Sequence, residues 1–223
     1  MKKGLWWLVT LFGAVFAVTA CSEDDDTYDK YADWESRNAM YFATAMDSAQ
    51  MAVSEAKAAY GEDWEKHCEW RRILSATKAD KGNNAITDYV CARVLERTAG
   101  GEVHPYWNDS VRVHYRGWLM PTTARMDDGT MVTERLVFDQ TYRGIFNEAI
   151  ARPALLEVSS CVPGFATVLT CMSPGDNWRV YIPAALAYGN STATGSIPAG
   201  STLCFEIRMA AVYRKGTAVP DWK

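Results

Sequence analysis

The chain is 223 residues long, 48% hydrophobic, 12% aromatic and 22% charged, which describes a folded globular protein able to bury a substantial core and excludes a disordered one. Its formal charge is −4, and no basic tract of the kind that neutralises phosphates is present, which argues against nucleic acid as a partner. No HExxH, phosphate-binding loop, dinucleotide fingerprint or G-x-S-x-G elbow occurs, and His67, His104 and His114 lack metal-ligand spacing, so neither metal nor other cofactor is expected.

In chain order, Lys2-Lys3 form a positive n-region, Gly4 to Ala20 is uncharged and mostly apolar, and Val18-Thr-Ala-Cys21 places small residues before a cysteine. This is similar to a bacterial lipoprotein signal over residues 1–20, in which Cys21 would be lipidated and become the mature N-terminus. The alternative, a short membrane anchor, sits at the lower length limit for a span. The acidic run to residue 27 reads as a tether, or as a tag for export to the cell surface. Both readings place the working part outside the cytoplasm, lipid-anchored to the outer membrane on its periplasmic or outer face. The other cysteines, Cys68, Cys91, Cys161, Cys171 and Cys204, are odd in number and show no C-x-x-C spacing, which favours buried free thiols over a disulfide.

Residues 28–84 are expected to be a helical segment. From Tyr28 to Tyr60 there is no Pro or Gly, and Trp34, Tyr41, Phe42, Ala45, Ala49, Ala52, Val53, Ala56 and Tyr60 recur at helical spacing until Gly61 stops them. Such a helix would be roughly 50 Å long, longer than a small domain is wide, so part of it is expected to project or to pair with a second copy in a homodimer. A helix lying on the domain is the other reading. Residues 62–83 read as a short second helix and a linker.

From residue 85 the texture becomes that of strands. Ile86–Arg97 carries β-formers; Val111–Leu119 alternates, with Val111, Val113, Tyr115 and Leu119 on one face and Arg112, His114, Arg116 and Trp118 on the other, where His114 reads as an outward polar residue. Val137–Asp139, Ala154–Val158, Trp178–Ile182 and Thr202–Met209 are further strands. Phe165, Val168, Leu169 and Met172 share one side of a short helix. Hairpins, one short helix and no βαβ rhythm predict an α+β fold, an antiparallel sheet packed on a helix.

Along these elements runs an ordered series: Val113-His-Tyr-x-Gly-x-Leu119, Val137-Phe-Asp139, Val162-Pro-Gly-Phe165, Met172-x-Pro-Gly175, Ile182-Pro183, Leu186-Ala-Tyr-Gly189, and Ile197-Pro198 leading to Leu203-x-Phe205. The series resembles the FKBP-type peptidyl-prolyl isomerases over roughly residues 86–213. The resemblance implies an FKBP-like curved antiparallel sheet wrapped around the short helix, a domain over 85–215 and a tail over 216–223. It implies a pocket with Phe165 as floor, Tyr115, Phe138 and Phe205 as walls, Tyr188 and Asp139 as polar rim groups, and Val162, Ile197, Cys161 and Leu156 about the substrate. It implies, as partners, proline-containing unfolded or exported polypeptides. The sequence departs from the family at several points: the stretch 120–136 is longer than in a minimal member, and the basic residue common after the Phe-Asp pair matches only loosely, at Arg143. Phe165 stands where tryptophan is usual, and aliphatics (Ala154, Leu155, Leu156) replace a wall aromatic. Two rival readings keep the fold and change the role: a peptide-binding module with weak catalysis, or a chaperone or assembly lipoprotein whose helices do the work.

Overall fold

The computed structural model describes residues 29–99, 103–191 and 196–222. The leader, Cys21 and the acidic tether lie outside the described residues. The strands are β1 (Trp70–Leu74), β2 (Tyr89–Glu96), β3 (Ser110–Leu119), β4 (Thr122–Arg125), β5 (Met131–Glu134), β6 (Val137–Gln140), β7 (Ala154–Glu157), β8 (Asn177–Ile182) and β9 (Leu203–Tyr213). The helices are α1 (Trp34–Tyr60), α2 (Trp64–His67) and α3 (Pro163–Leu169).

Seven strands form one sheet in the order β1-β2-β8-β9-β3-β6, with β7 also pairing with β3; every pairing is antiparallel. α3 packs on the inner face, where Val90, Val94, Val111, Val113, Val180, Ile182, Phe205 and Ile207 meet Phe165, Val168 and Leu169 in one cluster. This is the α+β arrangement that the alternating strands and the lone short helix predict. Pro163 starts α3, where its missing N–H has no partner to lose. Gly164 is required there because a Cβ would overlap Ile182 Cγ2, so the helix can seat only with a bare backbone at that point.

α1 differs from the expectation. It begins at Trp34, not Tyr28, and lies on the outer face of the sheet. Its buried residues Trp34, Asn38, Phe42, Met46, Ala49, Val53 and Ala56 step by three and four and so fall on one side. Phe42, Met46 and Ala49 cover Cys91, with Trp70, Tyr89 and Tyr181 packed around them. The stripe is therefore occupied by the chain's own residues, as in the reading of a helix lying on the domain. Gly61, at φ 56°, ends the helix in a conformation that costs other residues strain.

The N-terminal end of α1 is tied to the loop before β9. Trp34 Nε1 donates to Ser201 Oγ (2.8 Å), and the Asn38 side chain accepts from Thr202 N (2.8 Å) while donating to Trp34 O (2.8 Å). Asn38 is fully buried, and these bonds keep its amide satisfied.

Two further differences concern strands. Residues 62–83 hold only the single turn of α2 and then β1, which pairs with β2 along its whole length. The boundary expected between 84 and 85 thus separates two bonded strands. Arg71 hid β1 from the periodicity, because a buried arginine breaks the apolar alternation. The polar stretch 120–136 forms the hairpin β4–β5, turning at Gly129 (φ 83°). All five described cysteines after Cys21 are free, with Cys68, Cys91 and Cys204 buried.

Candidate functional site: an aromatic pocket at the start of α3

The site is built where α3 begins and β3, β6 and β9 run side by side. Phe165, the third residue of α3, is 5% exposed and sits at the base. Phe205 meets it edge-on with ring centroids 4.9 Å apart, and Tyr115 does so at 6.0 Å. Phe138 closes on Phe205 at 5.4 Å, nearly perpendicular at 89°, and Tyr115 lies 6.2 Å from Phe205. Each pair is a T-shaped contact, the arrangement that aromatic quadrupoles favour.

Register explains the assembly. Gly117 pairs with Phe205 on one side and Asp139 on the other, so β3 holds β9 and β6 at the height that brings their rings together. Gly117 is the residue that sequence reasoning left out of the site. A Cβ there would lie 2.6 Å from Phe205 Cε1 and 2.7 Å from Phe138 Cζ, so the two rings occupy the space its missing side chain leaves. Its signal was present, as the fixed glycine between Tyr115 and Leu119.

At the rim, Tyr115 Oη donates to Asp139 Oδ2 at 2.6 Å. Burial is the main cause of a raised Tyr115 pKa, and the bond to the Asp139 carboxylate adds to it; the phenol therefore stays a neutral donor at any ordinary pH. The strand beneath is fastened by Thr141, whose hydroxyl accepts from Tyr115 N (2.9 Å) while its own N–H donates to Tyr115 O (2.9 Å). Arg116 holds the chain beyond Asp139 by donating to Gln140 Oε1 (3.0 Å), Tyr142 O (3.2 Å) and Gly144 O (2.9 Å). Thr141 and Arg116 were not anticipated, because their contacts depend on how β6 pairs with β3.

The remaining expected residues fall around this cluster. Ile197 is buried; Leu156, Cys161 and Val162 are half-buried against the same core. Burial pushes the Cys161 thiol up to about 11, so it is a neutral packing group rather than a nucleophile. Tyr188 is 42% exposed and close enough to Tyr115 to influence its ionisation. Cys21 lies outside the described residues. His114 is a correction: it is 3% exposed, not an outward polar residue, because the Phe146 ring (4.9 Å) and the Trp222 ring (6.2 Å) close over it. Among the described residues no group of His, Cys, Asp and Glu could hold a metal ion.

The site is thus an aromatic cluster at the start of the short helix inside an antiparallel sheet, with a tyrosine–carboxylate pair at its rim. Residues 101–210 match the family described as FKBP-type peptidyl-prolyl cis-trans isomerase. Over that segment the chain carries an FKBP-type domain. It is 32% identical over 145 residues to the peptidyl-prolyl cis-trans isomerase Mip of Coxiella burnetii, covering 65% of this chain and 54% of that protein. It is 33% identical over 142 residues to the outer membrane protein MIP of Legionella longbeachae (64% and 52% covered), and 32% identical over 143 residues to the FKBP-type 22 kDa peptidyl-prolyl cis-trans isomerase of Escherichia coli (63% and 58%). The chain thus spans somewhat over half the length of these relatives.

Proposed function

We propose that the protein is a peptidyl-prolyl cis-trans isomerase that accelerates X-Pro isomerisation in exported polypeptides. The observation that carries this reading is the ring cluster of Tyr115, Phe138, Phe165 and Phe205, tiled edge to face around a base that is 5% exposed. A peptide bond resists rotation by about 18–20 kcal/mol because of resonance, and an uncatalysed X-Pro bond takes tens to hundreds of seconds to turn. The twisted amide has lost that resonance and its charge separation. An apolar, water-poor pocket disfavours the polar planar amide more than the twisted one, which lowers the barrier without any proton transfer.

In this reading the proline ring rests on Phe165 between Tyr115, Phe138 and Phe205. Val162, Ile197, Cys161 and Leu156 border the flanking residues, and Tyr188 offers its hydroxyl to a neighbouring carbonyl. Asp139 acts through Tyr115, holding the ring as a wall. The substrates are proline-containing unfolded or exported chains. The protein faces out of the cytoplasm, held to the outer membrane by lipidated Cys21. A homodimer through α1 would use the side where Met40 and Met51 are exposed, since the other side is taken.

The test is a proline-limited refolding assay on residues 22–223, with Phe165→Ala beside it. Acceleration by the parent protein and its loss in the variant are expected. A folded parent protein with no acceleration would sink the enzyme reading and leave a binding module.

A further inference from the structure

A second cavity, of about 900 Å³, opens at the other end of α3, between α2, β1, the end of β2 and the start of β8. It is within the size range of ligand sites. α3 spans only seven residues, about 10 Å, so the two cavities flank one short helix. The cleft has an apolar part made by Ile73, Val94 and the Trp178 indole, and a wall made by Trp64.

Its polar groups are unusual. Arg71 is 8% exposed, and its guanidinium donates only to main-chain oxygens: Nη1 to Cys68 O (2.7 Å) and Trp70 O (2.8 Å), Nη2 to Glu65 O (2.6 Å). Arg97 Nη2 donates to the same Cys68 oxygen at 2.6 Å. Two guanidiniums therefore meet at one carbonyl, and among the described residues no side-chain carboxylate is hydrogen-bonded to either. Burial is the main influence opposing the Arg71 charge; the Glu65 charge supports it and the Arg97 guanidinium adds to the opposition. Glu62 and Glu65 also line the cleft, and the two aspartates in its lining are engaged. Asp63 pairs with Lys66, and Asp176 accepts from Thr98 N and Ser173 N. Trp178, 7% exposed, contributes to the lining of the same cleft, and its indole N–H is itself buried and without an acceptor. A buried cation whose hydrogen bonds all go to neutral carbonyls, with a second cation beside it, is stabilised by an oxyanion that bridges the two.

We propose that this cleft binds a carboxylate carried on an apolar body, the oxygens bridging Arg71 and Arg97 and the body lying on Trp178, Ile73 and Val94. The same chemistry is found in the C-terminus of a polypeptide ending in an apolar residue and in a free organic acid. The site is separate from the prolyl pocket and does not depend on it.

The test follows the indole N–H resonances of the ¹⁵N-labelled protein, with that of Trp178 assigned through Trp178→Phe. Three probes are titrated: 3-phenylpropionate, a short proline-free peptide ending in phenylalanine with a free carboxylate, and the same peptide amidated. The Trp178 resonance is expected to move and saturate with a free carboxylate and to stay still with the amide. Arg97→Gln, an exposed change, is expected to weaken binding about ten-fold or more, as losing a charge-assisted hydrogen bond does, while isomerisation is unchanged. Equal affinity for acid and peptide assigns the site to small organic acids, and binding of the peptide alone assigns it to chain termini. An unmoved Trp178 resonance, equal binding of the amide, or undiminished binding by Arg97→Gln would overturn the proposal.

Discussion

The two faces of the sheet are closed by different means. On the inner face, α3 supplies a continuous apolar side, and the rings of Tyr115, Phe138, Phe165 and Phe205 fit one another edge to face. On the outer face, α1 does the same over β1, β2 and β8, placing Phe42, Met46 and Ala49 against Cys91 and Tyr181. Over β3 the outer face has no helix among the described residues. There the segment holding Phe146 and the tail holding Trp222 close on a polar row, and His114 is buried with neither ring nitrogen hydrogen-bonded. A helix brings a matched apolar side, whereas a loop and a tail bring only cover. The aromatic pocket formed on the inner face, where α3 meets the sheet ring to ring.

The sharpest way to break this comparison is to truncate one ring on each face. Phe42→Ala and Phe165→Ala both remove a buried phenyl, 2% and 5% exposed, and each is expected to lower stability by about 3–5 kcal/mol in urea unfolding. The functional outcomes should part. Phe42→Ala, assayed at a temperature where it remains folded, should keep its isomerisation rate, and Phe165→Ala should lose it. Equal loss of activity in both would mean that the outer face governs the pocket, against the division drawn here.

How much of this was legible in the chain depends on distance. The walls and floor of the pocket were expected from the family resemblance alone; alternation and the short helix's period placed Tyr115, Phe165 and Phe205 only on apolar faces, and the folded sheet brings their rings together. The place of α1 was not, since its stripe says only that something covers it. The covering surface is split between β1, β2 and β8, where Cys91 and Tyr181 alternate with arginines and look like an ordinary mixed face. β1 was missed for a related reason. Arg71 interrupts its apolar pattern, and the carbonyls of Glu65, Cys68 and Trp70 that satisfy it become visible only once the corner is folded. Alternation placed His114 correctly on the side opposite Val113. Its burial depends on Phe146 and Trp222, far along the chain.

His114 gives a smaller, pH-dependent effect. Its folded pKa is lowered, first by burial, with Arg208 on β9 contributing and Glu148 on the covering segment opposing. Arg112, on its own strand, stacks on Trp222, 5.5 Å from the ring centroid. Because the unfolded chain takes up a proton near pH 6.5 and the folded one only at lower pH, stability is complete above about pH 6.5 and declines as pH falls below it. Denaturant unfolding at pH 7.5 and 5.5 should show that decline in the parent protein. His114→Phe, which keeps a ring against Phe146, should lack it while still showing the later loss common to carboxylates. A parent protein equally stable at both values would place the imidazole in a wetter setting than its contacts describe.

The smallest effect expected is at the pocket rim, and it bears on what Asp139 is for. The Tyr115–Asp139 bond is short at 2.6 Å but lies at the exposed end of the pocket, so Tyr115→Phe should cost only about 0.5–1.5 kcal/mol of stability. The ring contacts with Phe165 and Phe205 survive that change, and the isomerisation rate should fall by no more than a few-fold. If Asp139 acts only by holding Tyr115, Asp139→Ala should cost the same, and the double variant should be no worse than either single one. Such non-additivity is the signature of two groups working as one unit. A carboxylate acting on the substrate would behave otherwise. Asp139→Ala would then lower the rate well beyond Tyr115→Phe, and the two losses would add. The cycle therefore separates a wall held in place by its neighbour from a polar group that meets the twisting amide.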